Sequence, residues 1–383
     1  MKIVDVDAIP LRHNLADGRS FGGTRGMTGV RETALVRLES DTGIVGWGEA
    51  FAAPRAVSAL VEDVFADAVL GTAPHTAASL PERVYTGDIG PYHVGRHALA
   101  QCALAGVETA MWDLWGKELG EPVAELLGGC QRTSVIPYAS TMYVTEWEED
   151  PKIPMQEAID AGFTAAKIKI GRGVKDDRKR VRIAREMLGD DAYLMVDYNG
   201  NYTPQQAIKS VNAIAEYDLT WVEEPVPPEN YSGYRELKQH LDVPLAAGEA
   251  HYGRFAFKRL IDDRLVDIIQ PNLGQCGGLS EARFLAKLAT TENILVRPHI
   301  WNSAVGMAAA LQYAASIPNY PNAPGMAAQP FLLECDRSEN PLRTEILTEP
   351  LDPTGGSLAV PTTPGLGISV DESALEQYRI DTP

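Results

Sequence analysis

The chain has 383 residues, a hydrophobic content of 45% and a formal net charge of −18. That length accommodates a barrel of roughly 250 residues plus a smaller second unit, and the composition excludes a disordered chain. The acidic balance argues against nucleic acid as a partner, and no uninterrupted apolar run reaches the roughly 18 residues of a membrane span.

The start, Met1-Lys2-Ile3-Val4-Asp5, places charges where a signal peptide needs an apolar core, so a cytoplasmic protein is expected. Residues 16–29 are rich in Gly, Arg and Thr and show no periodicity. This predicts a loop: either a bland surface hairpin, or a lid that excludes water and selects the substrate. Thr33 to Glu39 alternates as a half-buried strand, Asp41-Thr42-Gly43 turns, and Val45 to Glu49 returns as a hairpin partner. Helical patterns follow over Ala56–Ala68 and Gly95–Leu119, the second with a broad apolar face that includes Cys102, Met111 and Leu114. Residues 1–130 therefore read as an α+β unit. The four cysteines, Cys102, Cys130, Cys276 and Cys335, lack CxxC spacing and read as free thiols.

The next region is organised around Ala165-Ala166-Lys167-Ile168-Lys169-Ile170. A strand has a period of two, so both lysines point to one side, and they suit a face lined by carboxylates. Apolar runs ending in a polar residue then recur every 23 to 35 residues, at Asp197, Glu223, Glu249, Asn272, His299 and Glu334. Helical patterns lie between them, as over Pro204–Tyr217 and Leu279–Ala289. This alternation reads as a parallel α/β barrel, in which strand ends on one face build one site. Lys169, Asp197, Glu223, Glu249, His299 and Glu334 are thus expected to converge. Three carboxylates in register suit a hard divalent cation such as Mg²⁺. A lysine beside them, with its pKa lowered by desolvation and positive charge, suits a general base.

These motifs resemble the enolase superfamily, mandelate racemase subgroup. The matching residues are Lys167-Ile-Lys169, Asp197-Tyr-Asn199, Trp221-Val-Glu223-Glu224-Pro225, Gly248-Glu249, Gln270-Pro271-Asn272 and Pro298-His299. The resemblance implies a modified TIM barrel, (β/α)7β, over residues 131–335. It implies an α+β capping domain built from residues 1–130 together with a C-terminal segment, 336–383. It implies Mg²⁺, with Mn²⁺ also compatible, on Asp197, Glu223 and Glu249. Lys169 would be the base on one face of the substrate and His299 the acid/base on the other. Lys167 would support the substrate carboxylate, and Glu334 would be an electrophilic helper. No lysine lies between Lys258 and Lys287, which favours the branch that uses His299.

One position departs from the pattern: the strand-six aspartate that pairs with the histidine is Asn272. Asparagine orients an imidazole but does not stabilise imidazolium by charge. Racemisation needs two competent bases, so one-base β-elimination from Lys169 is favoured. The run from Glu334 to Arg343 and the ending Pro364–Ile368 resemble acid-sugar dehydratases and the galactarolactone and anhydrogalactonate cycloisomerases. The expected function is abstraction of the proton α to the carboxylate of a sugar acid or its lactone, followed by β-elimination. The alternatives are a racemase or epimerase of a 2-hydroxy acid, and a metal-binding homologue without catalysis. Asn199 and His251, each two residues from a proposed ligand, and Tyr143 and Trp301 at strand mouths, are the candidate substrate contacts. The expected partner is a small carboxylate, with the chain as a homo-oligomer.

Overall fold

The computed structural model describes residues 1–90, 93–147, 150–318 and 329–381. The first strands are β1 (Ile3–Asn14), β2 (Phe21–Gly23), β3 (Gly26–Thr28), β4 (Val30–Ser40) and β5 (Val45–Ala50). β1, β4 and β5 form an antiparallel sheet. Gly43, with φ +78°, makes the turn between β4 and β5 that a side chain would strain. The almost wholly buried helix Leu99–Leu119 packs on this sheet. The approach is close because β5 carries glycines: a Cβ on Gly48 would overlap the carbonyl of Gly106. The helix expected over residues 56–68 is broken into Pro54–Leu60, a π-helical turn Val61–Phe65, and Ala66–Val69.

The segment read as a loop, with a surface hairpin as one alternative, does form a hairpin. β2 and β3 pair as a short hairpin, and β2 also pairs with β7 (Val144–Thr145), a strand far away in sequence. Three-residue strands are too short to show a period, so their pattern carries no signal.

The central sheet contains β6 (Ser134–Thr141), β8 (Ala165–Lys169), β9 (Tyr193–Asp197), β10 (Trp221–Glu223), β11 (Leu245–Ala247), β12 (Ile268–Ile269), β13 (Leu295–Val296) and β14 (Leu332–Asp336). Its order is β13-β12-β11-β10-β9-β8-β6-β14, and each neighbouring pair in that order is parallel. A helix follows each strand from β6 to β13, ending with Ala304–Ser316, which gives the (β/α)7β arrangement. A capping box, Thr203 with Gln206, starts the helix Pro204–Ile214.

The strand period fixes what fills the interior. Tyr138, Ala165, Met195, Trp221, Ala246, Ile268 and Leu332 pack together as an apolar plug. Two residues further along, the same strands point Lys167, Asp197, Glu223, Gln270 and Glu334 inward, all with 1% exposure or less. A polar layer therefore lies on an apolar floor at the C-terminal ends of the strands.

The C-terminal segment runs back to the N-terminal strands. β15 (Leu358–Ala359) pairs with β6, the Arg12 amide donates to the Tyr378 carbonyl, and the Ile380 amide donates to the Pro10 carbonyl. Among the described residues no helix is long and apolar enough to cross a membrane.

Candidate active site

Pairing register places Lys169 beside Asp197, and Asp197 beside Glu223. Lys169 Nζ lies 2.5 Å from Asp197 Oδ2. Lys167 Nζ lies 2.5 Å from Glu223 Oε1, 2.9 Å from Glu334 Oε1 and 4.0 Å from Asp197 Oδ2. Glu249 stands one turn beyond β11, and His299 follows β13. His299 Nε2 lies 3.5 Å from Glu249 Oε2 and 3.9 Å from Glu334 Oε2. The six residues expected to converge do so.

Asp197, Glu223 and Glu249 each offer a carboxylate oxygen, and these oxygens lie within 4.8 Å of one another. Glu249 Oε2 is buried and has no hydrogen-bond partner among the described residues. Hard oxygen donors at this spacing, one of them unsatisfied, fit a divalent cation. Asp197 Oδ1 accepts the Asn199 amide at 2.8 Å, and Glu223 Oε2 accepts from Gln270 Nε2 at 2.6 Å. Such contacts hold carboxylates in orientation.

The electrostatics follow from burial and crowding. Burial and the neighbouring acids push Glu223 up to about 8, against the pull of Lys167. Burial also works against ionised Glu334 and Asp197, but it is outweighed. The charge of Lys167, with the Ile300 amide and the charge of Lys169, holds Glu334 at about 2. Lys169 and Lys167 hold Asp197 below its ordinary range. Burial disfavours the Lys169 ammonium, yet Asp197 holds its pKa above the ordinary value. While that ion pair persists, Lys169 is protonated.

His299 is set by Asn272. The Gly274 amide donates to Asn272 Oδ1 at 2.9 Å, which fixes the amide so that Nδ2 faces the ring. Asn272 Nδ2 lies 3.0 Å from His299 Nδ1 and 2.8 Å from Asn302 Oδ1. An amide NH₂ only donates, so Nδ1 is the acceptor and the ring proton sits on Nε2, toward the carboxylates.

A cavity of about 400 Å³ opens above this layer, lined by Lys169, Asn199, Glu249, His299 and Trp301 on the barrel side. Gly23, Arg25 and Met27 of the hairpin line its other side. The hairpin sits tightly on the barrel loops. Thr24 Oγ1 donates to the Tyr198 carbonyl at 2.5 Å, and a Cβ on Gly23 would overlap the Asn199 side-chain amide.

Not every expected contact faces this cavity. Lys167 is 1% exposed and ties Glu223 to Glu334. His251 is turned away: its amide closes a turn onto the Gly248 carbonyl at 3.0 Å, and its ring packs against Tyr231 and Phe257. Ala250 and Tyr252 line the cavity there instead. Tyr143 backs the wall. Its hydroxyl donates to Asp336 Oδ1 at 2.7 Å and accepts from Trp301 Nε1 at 2.9 Å, and its ring centroid lies 5.7 Å from Lys169 Nζ. Arg25 and Gln270 enter the site without having been singled out as functional. Gln270 occurs in a quoted run at a strand end, whereas Arg25 carries no positional signal.

Comparison with known proteins places the chain. Residues 154–374 match the family model for enolase C-terminal domain-like proteins. Residues 23–128 match that for the mandelate racemase/muconate lactonizing enzyme N-terminal domain. The chain belongs to the mandelate racemase/muconate lactonizing enzyme family. Over the full length of both chains it is 34% identical to a D-galactarolactone cycloisomerase of Agrobacterium fabrum. It is 29% identical, over 91% of each chain, to an arabinonate dehydratase of Saccharolobus solfataricus. The structure of a 3,6-anhydro-D-galactonate cycloisomerase from Zobellia galactanivorans superposes with a TM-score of 0.87 at 32% identity, covering 100% of both chains. A family structure of a racemase from Streptomyces coelicolor A3(2), with bound magnesium, superposes with a TM-score of 0.85 at 25% identity, covering 99% and 100% of the two chains. The expectation of a lyase or isomerase agrees with these relatives.

Proposed function

We propose that the protein removes the proton α to the carboxylate of a sugar acid or sugar-acid lactone, and then expels the β-oxygen to give a 2-keto-3-deoxy acid. The observation that carries this reading is the difference between the two candidate acid/base groups: Lys169 Nζ pairs with Asp197, while His299 is held by Asn272 so that its N–H points toward Glu249 and Glu334. Asp197, Glu223 and Glu249 would hold Mg²⁺, whose charge would bind the substrate carboxylate and stabilise the negative charge that builds on it.

The chain's own residues supply the rest. Lys169 must leave its ion pair with Asp197 before it accepts a proton; burial and the charge of Lys167 then favour its neutral form. Lys169 Nζ takes the α-proton, and the C–H electron pair delocalises into the carboxylate as an enediolate. Collapse of the enediolate forms the α,β double bond and breaks the bond from the β-carbon to oxygen. In a lactone or anhydro sugar that oxygen belongs to the ring, which opens, and the reaction is an isomerisation. In an open-chain acid it takes the proton that Lys169 removed and leaves as water. The resulting enol takes a proton on the β-carbon and releases its hydroxyl proton, becoming the ketone. His299 serves as a hydrogen-bond donor through Nε2. Trp301 and the β2–β3 hairpin keep water from the reacting carbon.

Support for a ring-oxygen leaving group comes from the two cycloisomerase relatives, each matched across its full length. Racemisation lacks a second base, because Asn272 disfavours a proton on both nitrogens of His299. The test is incubation with Mg²⁺ and a panel of aldonates, aldarates and their lactones, followed by NMR. A keto-deoxy acid that forms with the wild-type chain and not with Lys169→Ala supports the reading. Absence of product across the panel contradicts it.

A further inference from the structure

The capping domain grips the loop that follows His299. Glu49, near the end of β5, is buried and bonded to both units. Its carboxylate accepts from the Thr33 hydroxyl of β4 at 2.8 Å. On the barrel side it accepts from the Ser303 hydroxyl at 2.7 Å, the Ser303 amide at 3.0 Å and the Gly306 amide at 2.9 Å. Ser303 is the N-cap of the helix Ala304–Ser316 and follows Asn302 directly. The seat is tight: a Cβ on Gly306 would overlap both Glu49 Oε2 and the Asn302 Cβ. The same strand end reaches a second loop. The Phe51 amide donates to the Gly274 carbonyl at 3.0 Å, and a Cβ on Gly274 would lie 2.9 Å from the Phe51 Cβ and from Asn302 Nδ2. Gly274 and Asn302 are the two residues that orient Asn272 against His299. Arg343 also holds the Asn302 carbonyl, at 2.8 Å, so the loop has two clamps, and Glu49 is the one that fixes its helix. Asn302 Nδ2 has no partner among the described residues, so this backbone seat and the bond from Asn272 set its side chain.

We propose that Glu49 is a positioning residue for the reaction: by fixing Asn302 it keeps Asn272 facing His299 Nδ1, and so keeps the His299 proton on Nε2. Its catalytic consequence rests on the sugar-acid reading above, in which His299 donates through Nε2. Asn272 Nδ2 has two hydrogens, one used on His299 and the other on Asn302 Oδ1. A displaced Asn302 leaves the second hydrogen without an acceptor in a buried site, and the amide then gains by turning from the ring. Glu108 supplies a matched comparison. It too is buried, comes from the capping domain and caps a barrel helix, Leu279–Thr291, through the Leu279 and Ser280 amides at 2.8 and 3.0 Å. Its partners lie outside the chain of contacts that runs from Asn302 through Asn272 to His299.

The experiment labels the histidines of the full chain with ¹⁵N and reads the ring tautomer by proton–nitrogen NMR at alkaline pH, where the ring is neutral. His299→Gln identifies the His299 signals. Wild type should carry the proton on Nε2. Glu49→Gln keeps the size of the side chain but sets an NH₂ against N–H donors; it should show a mixture of both tautomers. Elimination should slow by about 10- to 100-fold, as when a group that orients an active-site side chain is lost. Asn302→Ala breaks the same chain of contacts without touching the capping domain and should give the same mixture. Glu108→Gln should lower the unfolding midpoint and leave the tautomer as in wild type. A wild-type tautomer in Glu49→Gln or Asn302→Ala, or an equal change in Glu108→Gln, overturns the proposal. The tautomer is read without turnover, so failure of the chemical reading is separate: it is the absence of elimination by the wild-type chain across the acid-sugar panel.

Discussion

Asn272 Nδ2 faces His299 Nδ1 at 3.0 Å, and this contact decides which ring nitrogen carries the proton. The Gly274 amide prevents the asparagine from flipping. Asn272→Asp places an acceptor against Nδ1, so the ring tautomer reverses and Nε2 becomes a base. The expected result is the appearance of substrate epimerised at the α-carbon, with elimination slowed. The check is NMR of substrate recovered at partial conversion; unchanged configuration in the variant contradicts the tautomer argument.

Lys169 is the residue on which proton abstraction depends. Lys169→Ala should lower α-proton exchange by about 10²- to 10⁴-fold, the usual contribution of a positioned general base. Its circular dichroism and its affinity for Mg²⁺ should stay close to wild type. A variant that still exchanges at near wild-type rate removes Lys169 from the role.

The carboxylate cluster makes a prediction about stability that needs no substrate. A cation bound only by the folded chain adds about 2.7 kcal/mol at a free concentration 100 times its Kd. Mg²⁺ should therefore raise the unfolding midpoint of the wild-type chain, and chelation should reverse the rise. Glu249→Ala removes the unsatisfied oxygen and should abolish the effect. Equal stabilisation of both chains would place the ion elsewhere.

The hairpin depends on a missing side chain. A Cβ on Gly23 would overlap the Asn199 amide, so Gly23→Ala should lift the tip from the barrel loops. Because the strands involved are short and peripheral, the unfolding midpoint should barely move. KM should rise and product formation should fall together, as with a misplaced lid. Unchanged kinetics would show that the tip does not close the cavity.

His251 offers a pH test. Burial lowers its pKa from the ordinary 6.5 to about 4. The unfolded chain therefore binds a proton that the folded chain refuses between those two values. Stability from this group is present above pH 6.5 and is lost as pH falls toward 4, by about 3 kcal/mol in total. His251→Leu should flatten that part of the stability profile relative to wild type. An identical slope in both chains would mean that the ring is protonated where it lies.

The barrel and its acid cluster were legible because strands obey one rule. Lys167 and Lys169 are two apart, and each of Asp197, Glu223 and Glu334 lies two residues beyond an apolar plug residue on the same strand. Period two is visible in a one-dimensional string. The rule stops where the strand stops, so it gives no direction for His251, whose ring the turn at Gly248 sets against Tyr231 and Phe257. The docking of the hairpin onto the barrel was invisible for a second reason. Its third strand, Val144–Thr145, lies more than 100 residues away, and a pairing of that kind leaves no local trace. The depth of Lys167 was likewise hidden, because spacing fixes the side a residue faces but not its height in the barrel.

The central claim is one-base α-proton abstraction followed by loss of a β-oxygen. Its most direct test is turnover of the sugar acids and their lactones with Mg²⁺ in D₂O, with both product and recovered substrate read by NMR. The account predicts a 2-keto-3-deoxy acid from at least one lactone or acid, beside recovered substrate of unchanged configuration. Recovered substrate epimerised at the α-carbon, or neither exchange nor elimination anywhere in the panel, would contradict it.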